Sequence, residues 1–321
     1  MAIRTALTES FGLASPIVLA PMNGIAGGRL AAAVSNAGGL GLVGGGYGDL
    51  DWLRRELALV QAETDRPWGV GLITWRATPE LVKLALGYRP AAFLLSFGDV
   101  RPYAAAIKAA GCRLVCQVQE VDMAREAAAA GADIVVAQGS EAGGHGAVRA
   151  TMPLVPAVVD AVAPVPVLAA GGIADGRGLA AALMLGAQGA MIGTRFVATD
   201  ESLMDERAKA RIVAARAADT QRTRVFDIIR EYPWPEPFTG RALRNRFFTR
   251  WHGHEGELAV AVKTEASAYQ RAVEAGDFET AVVFAGEAID LIDSVVPAAE
   301  LVRRIGAEAE AQLRVGGAML A

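Results

Sequence analysis

The chain is poor in the groups that most often carry chemistry. Of 321 residues only three are histidine and two are cysteine, and aromatic residues make up 6%. Cys112 and Cys116 flank a strand-like 113–115, a spacing poor for a metal site and ordinary for a buried sheet, so a reduced, cytoplasmic protein is expected. Positive charge is not in excess: 31 Lys and Arg stand against 35 Asp and Glu, a net of -4, which argues against nucleic acid or an anionic membrane surface as partner. Nowhere do about 18 apolar residues run together, so no spanning helix is expected. The opening Met1-Ala2-Ile3-Arg4-Thr5 lacks a charged segment followed by an apolar one, so no signal peptide is expected either.

What is present is alternation. Hydrophobic residues reach 53% and charged residues 21%, ample material for a core. Short apolar runs recur at 16–22, 40–44, 68–75, 91–97, 113–118, 133–137, 165–170 and 189–196. Alanine-rich stretches with helical spacing lie between them, such as 29–36, 50–63, 79–86, 121–130 and 178–185. Strands apolar on both faces and separated by helices signal parallel βα units. Roughly eight such units in a little over two hundred residues predict a (β/α)₈ TIM barrel. A doubly wound open sheet is the alternative, but it wants a Gly-x-Gly-x-x-Gly turn after the first strand. That turn reads Pro21-Met22-Asn23-Gly24-Ile25-Ala26-Gly27-Gly28, with the wrong spacing.

The last third changes character. Phe226, Tyr232, Trp234, Phe238, Phe247, Phe248 and Trp251 cluster there, and Pro233, Pro235 and Pro237 exclude a helix around them. The expected organisation is a barrel over 1–216, an irregular cap and substrate region over 217–285, and C-terminal helices over 286–321 packing back on the barrel. The same aromatics could instead be a clasp that docks the final helices.

Barrel enzymes place chemistry on the loops after strands. The most informative of these is Ala137-Gln138-Gly139-Ser140-Glu141-Ala142-Gly143-Gly144-His145-Gly146, read as a loop after the sixth strand. Its glycines let backbone approach a flat or anionic ligand, and His145 has the titration range for proton transfer. After strands seven and eight, Gly171, Gly172, Gly193 and Thr194 offer backbone N–H groups for a phosphate with little side-chain obstruction.

Four motifs in order, Ala20-Pro21-Met22, the Ala137–His145 stretch, Ala170-Gly171-Gly172-Ile173-Ala174-Asp175-Gly176 and Gly193-Thr194-Arg195-Phe196, resemble the nitronate monooxygenases, formerly called 2-nitropropane dioxygenases. Flavin-dependent enoyl-ACP reductases and NADH:quinone reductases are similar to this pattern too. The resemblance implies FMN as cofactor, with Ala20, Pro21, Met22 and Ala170 in its binding motifs. It implies that Met22 and Thr74 line the isoalloxazine and that Gln117 bonds its pyrimidine edge. Gln138 and the backbone of Gly143 and Gly144 would contact ribityl or ring atoms, Gly171, Gly172, Gly193 and Thr194 the phosphate. His145 would face the substrate as catalytic base. Gln117 and Gln138 favour the monooxygenase branch, since the quinone-reductase relatives tend to carry lysine and aspartate there.

The implied reaction turns an alkyl nitronate, and with His145 as base a nitroalkane, plus O₂ into a carbonyl compound and nitrite. An NAD(P)H-dependent FMN reductase of quinones or enoyl thioesters is the rival, and a flavin-binding protein without turnover a second one. A small molecule and O₂ are the expected partners, with a homodimer left open. One departure stands out: Phe284-Ala285-Gly286-Glu287-Ala288 replaces the family's Trp-Ala-Gly-Gln-Gly where the substrate pocket closes, so Glu287 is expected to repel an anionic nitronate.

Other features read as structural. Trp251-His252-Gly253-His254-Glu255 lacks a third converging ligand, so no metal is expected and the stretch reads as an exposed polar turn. Glu141 is expected to orient the loop beside it, Arg195 to pair with a carboxylate under the barrel mouth, and 205–211 to be a solvated helix face.

Overall fold

The structure, a computed structural model, describes residues 3–319. Eight apolar segments form parallel strands: Ile17–Leu19, Gly41–Gly46, Trp68–Ile73, Ala92–Ser96, Arg113–Val118, Ile134–Gln138, Val167–Ala170 and Ala190–Ile192. From the second to the eighth each pairs with its sequence neighbour, and the first pairs with the eighth through Ile17–Ala190 and Leu19–Ile192. The remaining seam is bridged where Leu40 donates its N–H to Ile17 and Leu19 donates its own to Leu40, both at 2.9 Å. The result is the (β/α)₈ barrel that the alternating pattern predicts.

Alternation within each strand sorts its side chains between two cores. Val18, Leu42, Leu94, Val136 and Met191 fill the barrel interior, where Leu7 and Phe11 of the short helix Ala6–Phe11 join them. Ile17, Leu19, Val43, Phe93, Val135 and Ile192 point outward against the helices. The helices begin at local signals: Asp49 caps Leu50–Glu63 by accepting from the N–H groups of Asp51 and Trp52, and Thr78 caps Pro79–Gly87, with proline in the first turn. The two crossovers for which the sequence pattern names no helix are helical as well, Arg101–Ala109 and Thr151–Val162.

The eighth strand is not followed at once by its ring helix. The chain leaves the barrel and returns as the helix Ala298–Ala318, which packs beside Gly176–Met184 and Gly28–Asn36. Leu301, Val302 and Ile305 thereby join the outer barrel core.

The excursion is more ordered than an irregular cap. Thr220–Thr223, Thr239–Leu243 and Gly144–Gly146 form an antiparallel sheet. The glycine–histidine segment is therefore partly a strand, not a free loop: its alternating small residues let it lie against Thr239–Leu243 with His145 opposite Gly240. The proline-rich 230–238 lacks helix and strand, as does 276–286 apart from one isolated bridge at Phe284. The aromatics divide between both expected roles. Phe226, Phe247, Phe248 and Trp251 build a small core against Leu258 and Tyr269 of the helix Glu255–Ala275, while Trp234 reaches the barrel mouth. Among the described residues no helix is long and apolar enough to cross a membrane.

Candidate active site

A cavity of about 340 Å³ opens at the carboxyl ends of the strands, between barrel and cap. Ala20, Pro21, Met22, Gln117, Gln138, Gly143, Gly144, His145, Ala170, Gly171, Gly172, Gly193 and Thr194 all line it. Thr74 does not. It starts a short 3₁₀ turn with its hydroxyl buried and without a hydrogen-bond partner among the described residues, and Ile73 lines the cavity in its place. The strand turns into a helix one residue too early for Thr74 to face inward.

One end of the cavity is made of backbone. Gly171 and Gly172 adopt φ of +99° and +73°, which side-chain-bearing residues rarely tolerate. A Cβ on Gly143 would sit 2.6 Å from the Gly286 nitrogen and 2.8 Å from Thr194 Oγ1. Beside them the helix Thr194–Val197 begins with no side chain capping it. This end suits a phosphate, which backbone N–H groups hold without lysine.

The middle is an amide network. Gln138 Oε1 accepts from Gln117 Nε2 at 3.1 Å and from Gln119 Nε2 at 2.8 Å, while Gln138 Nε2 donates to the His145 carbonyl at 3.1 Å. With Pro21, Met22 and Ile73 as an apolar wall, these amides present the mixed edge and face that a flavin ring requires.

The far end is built around His145, which is 8% exposed. Its Nε2 lies 3.0 and 2.9 Å from the two carboxylate oxygens of Asp227. A carboxylate accepts, so Nε2 carries the proton and Nδ1 keeps its lone pair. Among the described residues Nδ1 has no hydrogen-bond partner. Burial pushes the imidazole pKa below its ordinary value, against the opposing hydrogen bond and charge of Asp227, so the ring is neutral near pH 7. Trp234 stacks on the ring, centroids 3.5 Å apart, and donates its indole N–H to the Tyr47 hydroxyl at 3.0 Å. Burial pushes the Tyr47 phenol up to about 12, so it stays protonated. Arg230 also lines the cavity and donates to Asp227 at 3.0 Å.

Asp227, Arg230, Tyr47 and Gln119 carry no motif of their own. Asp227 and Arg230 lie on and just after a five-residue helix, Val225–Ile229, and reach His145 only because the cap sheet folds back over the barrel.

Three further expectations are corrected. Glu287 does not project into the cavity: its carboxylate binds Arg241 Nη2 at 2.7 Å on the rim, while Phe284, Gly286 and Ala288 close the pocket. Among the described residues Arg195 pairs with no carboxylate. It is 1% exposed and donates to the carbonyls of Ala198 and Ser294, and burial pulls its pKa down to about 10. The face at 205–211 is also not wholly solvated, since Lys209 is buried and bonds the exposed Glu206.

Other expectations fit the geometry. Glu141 accepts from the Thr151 N–H and hydroxyl, tying the segment to the next helix. The thiols of Cys112 and Cys116 are free, and burial pushes both up to about 12. The stretch expected as an exposed polar turn is exposed only in part: Gly253 and His254 are exposed, with His254 paired to Glu257, while Trp251 is buried and the half-buried His252 bonds Gln221.

The family model for nitronate monooxygenase matches residues 4–80 and 78–308. The chain belongs to the nitronate monooxygenase family. It is 36% identical over 334 residues to the nitronate monooxygenase npaC of Metarhizium robertsii, covering 93% of this chain and 92% of that one. It is 42% identical over 220 residues to a 5-hydroxy-7a-methyl-1-oxo-octahydro-1H-indene-4-carboxyl-CoA dehydrogenase of Mycobacterium tuberculosis. That match takes in 67% of this chain and spans only 61% of the relative's length. The solved structure of FabK from Thermotoga maritima superposes with a TM-score of 0.89 at 33% identity, covering 99% of this chain and 100% of that one. The family is one of flavin-dependent oxidoreductases.

Proposed function

We propose that this protein is an FMN-dependent nitronate monooxygenase, converting alkyl nitronates, and their parent nitroalkanes, with O₂ into carbonyl compounds and nitrite. One observation carries the reading: a buried, neutral imidazole lining the cavity, with Nε2 fixed by Asp227 and Nδ1 without a hydrogen-bond partner among the described residues. A nitroalkane α-proton is acidic enough for such a base near neutral pH. In this reading the proton passes from carbon to His145 Nδ1, and Asp227 holds the imidazolium that results.

FMN, when bound, supplies the electron chemistry. Backbone of Gly171, Gly172, Gly193 and Thr194 would hold its phosphate, Gln117 and Gln138 its pyrimidine edge, and Ala20, Pro21, Met22 and Ile73 its ring. Trp234 and Phe284 would exclude water from the substrate side. The two buried free thiols support a reducing, cytoplasmic setting.

A second reading, an NAD(P)H-dependent flavin enzyme acting on acyl thioesters, is favoured by the relative named for a carboxyl-CoA substrate. Anaerobic mixing separates the two. FMN-loaded protein should bleach rapidly with a nitronate and poorly with NADH or NADPH. Rapid bleaching by micromolar NADH would replace the first reading with the second. His145→Asn should retain FMN, lose about 10²–10⁴-fold on a neutral nitroalkane and much less on the preformed nitronate. Equal loss on both substrates would reduce His145 to a structural residue.

A further inference from the structure

The guanidinium of Arg230 is only half used. Its Nε donates to the Phe226 carbonyl at 2.7 Å and its Nη2 to Asp227 Oδ1 at 3.0 Å. Both bonds lie on one edge of the planar fork. The other edge, Nη1 with the second hydrogen of Nη2, has no partner among the described residues. The group is held between aromatic rings, 5.1 Å from the Tyr232 centroid and 5.3 Å from that of Phe284, with the side chain 20% exposed. Phe284 is also the neighbour of His145, at 5.5 Å between ring centroids, so cation and base look onto the same space.

The other arginines nearby bond groups of the protein with donors on more than one side or lie deeper. Arg222 donates to the carbonyls of Ser140 and Thr239. Arg241 serves Ser140 and Glu287. Arg195 gives both its bonds from Nη1, to the carbonyls of Ala198 and Ser294, and its Nη2, buried without a partner among the described residues, belongs to a side chain only 1% exposed.

We propose that Arg230 holds the reacting head of the substrate and that this head is a planar group with two oxygens, as in a nitro compound or nitronate, not a lone thioester carbonyl. A guanidinium edge matches two coplanar oxygens with two parallel N–H bonds, and gains little geometric advantage from one oxygen. Charge agrees with shape. Before reaction, Asp227 balances Arg230 and His145 is neutral. When a nitroalkane loses its proton, the C–H bond breaks, an N–H bond forms at His145 Nδ1, and the electron pair makes a C=N bond that leaves the charge on the two nitro oxygens. The group of three then carries one net positive charge beside the new anion. The naming of nitro compounds rests on the proposed monooxygenase reading; the two-oxygen anion site stands on Arg230 alone.

Binding of inert probes tests the assignment without turnover. Butyrate presents two coplanar oxygens and a charge, and butyramide has nearly the same shape with one oxygen and none. Flavin-loaded protein is titrated with each at neutral pH, and the flavin difference spectrum and tryptophan fluorescence are recorded. Wild-type protein should bind butyrate at least about tenfold tighter than butyramide. Arg230→Met should weaken butyrate about 10- to 100-fold and butyramide about twofold or less, with Arg230→Lys in between. Equal binding of the two probes by the wild type, or equal loss of both in Arg230→Met, overturns the proposal. The wild-type comparison decides even where a variant folds poorly. Butyrate preference in a protein that leaves nitronates untouched would keep the anion site and remove the monooxygenase reading. Nitronate oxidation without butyrate preference would do the reverse.

Discussion

Trp234 lies face to face with His145, ring planes within 6° and centroids 3.5 Å apart, although the two come from different segments of the chain. The indole is itself fixed by Tyr47, whose ring stacks on Tyr232 at 4.1 Å. The base is thus oriented twice, in plane by Asp227 and out of plane by Trp234. Trp234→Phe keeps a ring on the imidazole and loses the bond to Tyr47. It should cost about 0.5–1.5 kcal/mol of stability and leave most activity. Trp234→Ala should cost about 3–5 kcal/mol and lower turnover of neutral nitroalkanes by more than about tenfold. Denaturant midpoints and kcat for the two variants check this.

The pH dependence follows from burial of His145. Its pKa lies below the ordinary 6.5, so the basic form dominates from neutral pH upward. The kcat/KM on a neutral nitroalkane should rise with pH along a limb whose midpoint lies below 6.5. Asp227 opposes the depression, so Asp227→Asn should move the limb to lower pH and reduce the plateau by about 10²–10⁴-fold. A limb that moves to higher pH would contradict the assignment of Asp227. By linkage, the depressed pKa gives stability that is complete above 6.5 and lost as pH falls toward the folded-state value.

Two adjacent glycines should respond differently to alanine. At Gly143 a Cβ would meet the Gly286 nitrogen at 2.6 Å and the Ala285 carbonyl carbon at 2.7 Å, both backbone. Gly143→Ala should separate the segment from the cap, lose FMN during gel filtration and cost about 1–3 kcal/mol. At Gly144 no atom lies within 4 Å of a Cβ, and the cost is the left-handed φ of +71° alone. Gly144→Ala should cost about 1–2 kcal/mol and retain the flavin. Thermal unfolding and bound-FMN absorbance distinguish the pair.

Glu287→Gln should leave substrate choice nearly unchanged. The carboxylate is 42% exposed and engaged with Arg241 on the rim, so an anion in the cavity does not meet it. The KM ratio between a nitronate and its neutral nitroalkane should shift by about twofold or less, and stability by about 1 kcal/mol or less. A large gain on anionic substrates would restore Glu287 as a specificity residue.

By itself the sequence determined the barrel and the glycine-built end of the cavity. Runs such as 133–137 are apolar on both faces, a pattern that only a strand covered on both sides satisfies, and local caps such as Asp49 and Thr78 mark where helices begin. Gly171, Gly172 and Gly193 were legible because a backbone cradle requires residues without side chains at fixed places after strands. Tertiary structure decided the rest of the site. His145 was visible, but its partner Asp227 lies 82 residues onward, and no spacing rule links a barrel segment to a cap helix. Thr74 shows the limit on a smaller scale: motif position put it at the cavity, and one turn of 3₁₀ helix rotated it away. Arg195 and Glu287 found partners set by packing, a pair of carbonyls and a rim arginine, where residue type alone suggested other ones. Periodicity is a local property that each segment carries with it. Which charged group meets which is fixed only when the cap sheet pairs Gly240 with His145 and brings distant segments within hydrogen-bond reach.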